Sequence, residues 1–208
     1  GYDKTESPLT RKMTDEEEFD ITYEDDEARI GEVFRDKTHT LVVYTPAVPK
    51  ENRILSFFRD NGYALHKRAE VLGFLSRSKK ALCIAGTHGK TTTTTILAFL
   101  LKNSHVGCSA FLGGISSNYG TNLLIDKESD YVVIEADEYD RSFLHLHPEI
   151  AVITAMDADH LDIYGTHEEL LKAFEEFALQ IKGQLFLRKG LELKRREITG
   201  HYAAGEKT

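Results

Sequence analysis

The stretch Ala81-Leu-Cys-Ile-Ala-Gly-Thr-His-Gly-Lys-Thr-Thr-Thr-Thr-Thr95 leaves this chain few folds to choose from. Ala81 to Ala85 is a short, unbroken apolar run, the pattern of a buried parallel strand. Gly86 and Gly89 follow, then Lys90 and Thr91, and then Ile96, Leu97, Phe99, Leu100 and Leu101, which read as a helix. Strand, glycine loop and helix in that order form a cradle for phosphate. Glycines let the backbone approach, and the free N–H groups at a helix start point at the anion. A lysine there neutralises the outer phosphates, and the Thr91 hydroxyl can ligate Mg²⁺. Gly86, Thr87, His88, Gly89, Lys90, Thr91 and Thr92 are therefore the candidate nucleotide-binding set. The common spacing G-x-x-x-x-G-K-[ST] is not met, because Ile84 stands where its first glycine falls. A glycine turn ahead of an ordinary helix is the plainer alternative. The lysine, the second glycine and the flanking elements together argue against it.

The rest of the chain alternates strand and helix patterns. In the first part, Gly1–Thr10 reads as turn, the acidic run between Thr14 and Asp26 as solvated surface, and Glu27–Asp36 as a short helix. Thr40–Thr45 reads as a strand, Glu51–Asn61 as a helix stopped by Asn61-Gly62, and Leu65–Arg77 as a second helix. Ser76-Arg-Ser-Lys-Lys80 is a polar hinge. Beyond the phosphate loop, Val106–Gly114 is partly extended and Ile115–Asn122 is a polar loop. Tyr131–Asp137 and Ile150–Met156 are buried strands that end in acids, His167–Lys182 is an amphipathic helix, and Gln184–Arg188 is the last strand. Thr199–Thr208 reads as loose. The fold class is α/β with two parallel-sheet domains, residues 1–78 and 79–208.

A net charge of −8 argues against a general nucleic-acid surface. There are two cysteines, Cys83 within the apolar strand and Cys108, and no disulfide framework, which suits a reducing compartment. No signal peptide and no apolar run of membrane-spanning length is found. A cytoplasmic location without membrane or nucleic-acid partners is expected, and the oligomeric state is open. The start at Gly1 rather than Met is read as a fragment boundary.

In open parallel sheets ligands sit outside the carboxyl ends of the strands. Three such ends carry polar residues here: Gly86–Thr91, Glu135–Asp140 and Asp157–Asp162. A carboxylate ending the strand beside a phosphate loop is the usual place for a further Mg²⁺ ligand. Glu135 and Asp137 share a face, and Glu135 is expected to matter more because it leaves the core first. A solvated acidic loop paired with Arg141 is the bland alternative. His145 and His147 form an H-x-H that could hold a transition metal but has no third ligand nearby. Tyr139 fits packing or substrate contact alike.

Gly86-Thr-His-Gly-Lys-Thr-Thr92, Glu135-Ala-Asp-Glu-Tyr-Asp-Arg-Ser-Phe-Leu-His-Leu146 and Asp159-His160-Leu-Asp162 resemble the ATP-binding central domain of Mur ligases. Tyr2-Asp3 and Thr45-Pro-Ala-Val48 fit the family's Rossmann-like UDP-binding domain, here without its first strand. Phe111-Leu-Gly-Gly114 and Gly120-Thr-Asn122 fit its substrate loop. The resemblance implies an ATP-dependent ligase that joins the carboxylate of UDP-N-acetylmuramate to L-alanine through an acyl phosphate, in peptidoglycan precursor synthesis. It implies that Lys90, Glu135 and His160 are catalytic, and that Thr91, Glu135 and His160 hold Mg²⁺, with Mn²⁺ open because of the imidazole. Asp3, Thr45, Ala47 and Asn122 would contact the substrate. Ala155 stands where the family often has asparagine. The family's C-terminal domain, which helps bind the amino acid and closes over ATP, is missing, so the fragment alone is expected to bind ATP weakly and form no product. Rival readings are a ligase reattaching a recycled peptide, an inactive nucleotide-binding module and a P-loop kinase. Loss of Lys90 is expected to abolish turnover without unfolding.

Overall fold

The apolar run before the phosphate loop lies at the centre of a seven-stranded sheet. The computed structural model describes residues 1–194, 197–203 and 205, and the side chains of all of these except Glu16 and Glu17. They fall into two compact units, Gly1–Val71 and Leu72–Thr208.

In the first unit, helix α1 (Pro8–Glu17) occupies ground that reads as turn and acidic surface. Its start is written in Ser7-Pro-Leu-Thr10: Ser7 Oγ accepts from Thr10 N, Thr10 Oγ1 accepts from Ser7 N, and Pro8 supplies a preset φ at the first helical position. Among the other acids, Asp15, Glu18, Asp20 and Glu24 are exposed, as expected, while the side chains of Glu16 and Glu17 lie outside the description. Asp25 is half-buried, and its Oδ1 accepts from Asn52 Nδ2, Arg53 N and Ile54 N, capping the next helix. The short helix expected over Glu27–Asp36 is two 3-10 turns, Glu27–Arg29 and Glu32–Arg35. Strand β1 (Val42–Tyr44) and helix α2 (Arg53–Asp60) fall where expected. The single helix read over Leu65–Arg77 is instead a strand, β2 (Leu65–Lys67), pairing parallel with β1, and then helix α3 (Arg68–Ser78), within which the two units meet along the chain. Ile30, Val42, Phe58 and Tyr63 form the small core.

The second unit is built on strand β3 (Lys80–Ala85), followed by helix α4 (Lys90–Lys102), β4 (Ser109–Ser116), β5 (Thr121–Leu124), β6 (Tyr131–Ala136), β7 (Ile150–Ile153), the short helix α5 (Leu161–Tyr164), helix α6 (His167–Leu179), β8 (Gln184–Arg188) and β9 (Gly200–Tyr202). The sheet order is β5-β4-β6-β3-β7-β8-β9, parallel except for the β4–β5 hairpin. Within the polar loop expected over Ile115–Asn122, residues 117–120 are the turn of that hairpin, while the two residues at either end belong to β4 and β5. Likewise the loose segment expected from Thr199 contains the edge strand β9, while residues 204 and 206–208 lie outside the description. Alternation along β3 sends Ala81, Cys83 and Ala85 into one core and Leu82 into the other. On the first side Phe143 stacks on Phe177 at 4.9 Å and meets Phe174 edge-on at 5.3 Å. On the other, Ala98 of α4 packs over Leu82, Ala110 and Val133. Cys83 is fully buried, and burial pushes its thiol far up.

Gly73 sits in α3 where a Cβ would lie 2.5 Å from the carbonyl oxygen of His145, a backbone atom that cannot swing away. Gly-to-Ala in a helix ordinarily gains up to about 1 kcal/mol. Here overpacking, at about 1–3 kcal/mol, outweighs it, so Gly73→Ala is predicted to lower stability. Urea denaturation followed by circular dichroism checks the sign.

Candidate active site at the ends of three strands

β6, β3 and β7 are adjacent and parallel, so the loops that leave their carboxyl ends emerge side by side. The phosphate loop, Gly86–Gly89, is fastened to the end of β7. Thr154 Oγ1 donates to the carbonyl of either Ala85 or His88, with both within reach. Thr87 N donates to Ala155 O at 3.0 Å, and Asp157 N donates to Thr87 Oγ1 at 3.1 Å. Thr87 therefore spends its side chain on the scaffold. Gly86, with φ 127°, is required by packing as well as conformation, since a Cβ there would meet Thr154 Oγ1 at 2.4 Å and Ala155 N at 2.7 Å. Ala155 serves through its main chain. Gly89, with φ 79°, is the residue before α4 and turns the chain so that the N–H groups of the helix start face outward.

Glu135, on the last turnout of β6, accepts from Thr91 Oγ1 at 2.9 Å and from Gly113 N at 2.8 Å. Gly113 has to be glycine for this: a Cβ would fall 2.2–2.3 Å from the Glu135 carboxyl atoms. Asp137 points elsewhere, and its Oδ1 caps Tyr139 N.

One residue absent from the sequence-based site set is at the middle of the cluster. Glu138 is 0% exposed. Lys90 Nζ lies 2.8 and 2.7 Å from its two carboxylate oxygens and 2.8 Å from Gly86 O, while His160 Nε2 is 3.6 Å from Oε1. The main chain of Glu138 is pinned too, because its carbonyl accepts from Tyr164 Oη at 2.6 Å and from Arg141 N at 2.9 Å. Burial is the main cause that pushes the Tyr164 hydroxyl up to about 12, so it stays protonated and donating. The signal for Glu138 was present: the inward parity Val132, Ile134, Ala136 continues to 138.

His160 has φ 51°, and Asp140 and Arg141 have φ 52° and 56°, so three non-glycine residues around the cluster hold left-handed backbone. Tyr139 meets the His160 ring edge-on at 5.3 Å, and Arg141 lies over the Tyr164 ring at 5.5 Å. His147 Nε2 is 2.7 Å from Arg77 Nη2 and can only accept there; burial, then Arg77 and Lys182, lower its pKa. Asn122 lies in β5, while Asp3, Thr45 and Ala47 are exposed residues of the first unit. Among the described residues, no group of three or more His, Cys, Asp or Glu is placed to hold a metal ion, and no helix is long and apolar enough to cross a membrane.

Residues 84–189 match the model of the Mur ligase middle domain, which spans the phosphate loop, Glu135, Glu138 and His160. The chain belongs to the Mur ligase family. It is 57% identical over 196 residues to a UDP-N-acetylmuramate–L-alanine ligase of Phocaeicola vulgatus, covering 93% of this chain and 43% of that protein. A second enzyme of that name, from Porphyromonas gingivalis, is 54% identical over 192 residues, covering 91% and 42%. The chain thus spans about two-fifths of the length of these curated relatives. Among solved structures, the UDP-N-acetylmuramate-alanine ligase of Thermotoga maritima aligns with a TM-score of 0.71 at 27% identity, over 87% of this chain and 40% of that one. A UDP-N-acetylmuramate:L-alanyl-gamma-D-glutamyl-meso-diaminopimelate ligase from Neisseria meningitides, at 23% identity, shares the fold with a TM-score of 0.75, over 92% and 64%.

The buried pair changes what Lys90→Ala should do. Removing one partner of a buried ion pair costs about 3–5 kcal/mol, and the 13% exposure of the Lys90 side chain puts this case at the lower end. We predict that Lys90→Ala destabilises by about 3 kcal/mol, and that adding Glu138→Gln restores most of the loss. Denaturation of the two variants measures both.

Proposed function

We propose that this chain supplies the nucleotide and substrate domains of an ATP-dependent ligase that joins the carboxylate of UDP-N-acetylmuramate to the amine of L-alanine. The observation that carries the reading is the meeting of Thr91 Oγ1, Glu135 and Gly113 N at the start of α4, in a chain 57% identical to a ligase of that name. The first unit would hold the UDP sugar, with Thr45 and Ala47 just past the carboxyl end of β1, where parallel sheets present ligands, and with Asp3 in the segment ahead of α1. Asn122 on β5 would contact the same substrate. A cytoplasmic setting, where these small-molecule substrates would be met, belongs to the same reading.

The donor set at Thr91 and Glu135 consists of oxygens, which suits Mg²⁺. That ion needs one or two protein oxygens and takes the rest of its shell from phosphate and water. His160 adds a nitrogen and leaves Mn²⁺ open at a second position. When bound, the ion would offset charge on the transferred phosphoryl group. The chain's own groups do the remainder. The amides at the start of α4 bind and orient the phosphates, and Lys90 neutralises the outer ones. The sugar carboxylate takes the γ-phosphoryl group, giving an acyl phosphate and ADP. The alanine amine then displaces phosphate and forms the amide.

The test uses a chimera in which this chain replaces the matching stretch of the Phocaeicola vulgatus relative. With ATP and UDP-N-acetylmuramate, hydroxylamine should trap a hydroxamate in place of the alanine product; ATP turnover without a trappable acyl group would point to a kinase. In the same chimera, Glu135→Gln is predicted to lower kcat on the order of 10²-fold and to raise the Mg²⁺ requirement, with Asp137→Asn within about tenfold of the parent. The reverse order would reassign the ligand. Gly113→Ala should keep the fold, because the obstructing atoms are the end of a flexible side chain, yet shift the Mg²⁺ requirement as Glu135→Gln does.

A further inference from the structure

An ammonium group has three N–H donors. Lys90 Nζ lies within 2.8 Å of three acceptors, Gly86 O and both carboxylate oxygens of Glu138, all of them on the protein. A phosphate arriving at the loop therefore has to take a donor from one of them. Gly86 O is fixed by the packing of its residue against Thr154 and Ala155. Glu138 cannot turn to water, being 0% exposed, and its main chain is clamped by Tyr164 Oη and Arg141 N. The mobile partner is the lysine, whose side chain keeps some exposure.

Resting on the phosphate-loop reading, we propose that Glu138 is a positioning residue that holds Lys90 in a parked state and competes with the nucleotide phosphates for its ammonium. The exchange replaces one charge-assisted contact with another, so nucleotide affinity is held below what the loop alone would give. His160, 3.6 Å from the same carboxylate, is the second cation-capable group that Glu138 faces, and it would feel the change when Lys90 leaves. Loop Asp137–His145, loop Asp157–Gly165 and the phosphate loop thereby report to one side chain.

The experiment measures ATP binding to this chain in EDTA by titration calorimetry. Glu138→Gln frees the lysine and should bind ATP about tenfold more tightly than the parent, the scale of one charge-assisted contact. Lys90→Met combined with Glu138→Gln should abolish that gain. Equal or weaker binding by a folded Glu138→Gln overturns the proposal, and so does a gain that persists in the double variant, since bulk charge would then explain it. If no form binds ATP even with Mg²⁺, the phosphate-loop reading fails and the proposal with it. Should Glu138→Gln not fold, ¹⁵N-lysine spectra of the parent decide. The Nζ signal missing in Lys90→Arg should shift on ATP addition; one unmoved at saturation overturns the parked state.

Discussion

A carboxylate with no contact with water needs its counter-charge inside the protein, and Glu138 takes it from Lys90. The attraction operates at low dielectric and ties the first residue of α4 to the loop after β6. Without it the start of α4 would be tied to the β6 side only by the bond from Thr91 Oγ1 to Glu135. With it, the loop is held between both neighbours of β3, and the start of α4 cannot drift. The pair also explains why the segment Asp137–His145 is folded tightly against Tyr164 rather than lying open as an acidic loop.

The other anchor is made of neutral hydrogen bonds. Thr154, Ala155 and Thr87 fasten the loop to the end of β7 through main-chain groups and two hydroxyls. None of these contacts needs a large side chain, which is why alanine at 155 is compatible with an ordered loop. The division of labour is clear: β7 sets the path of the loop, and β6 sets its charge.

Much of this was legible in the residues. β7 is an unbroken apolar run, and β3 and β6 are apolar but for Lys80 and Glu135, patterns that fit strands buried on both faces. The α4 and α6 patterns are equally plain. Short elements were the difficulty. Leu65–Lys67 is three residues long and runs straight into α3, so periodicity has no room to change. β9 contains Gly200 and His201 and owes its strand character to pairing with β8, a tertiary cause invisible locally. Pro8 and the Ser7–Thr10 exchange did announce α1, but the acids after it carry a louder signal for solvent. In the site, Glu135 could be found because it ends a strand beside a glycine loop. Glu138 was hidden among Asp137 and Asp140, where an acid suggests water, and only the inward parity of β6 tells it apart.

Left-handed backbone at Asp140, Arg141 and His160 costs on the order of 1–2 kcal/mol per residue relative to a relaxed conformation. Glycine would remove that cost at any of the three positions. At 160 it would also delete the imidazole that faces Glu138. At that position the substitution that relaxes the backbone is also the one that empties a place in the cluster, so selection for stability alone would erode this corner of the molecule first.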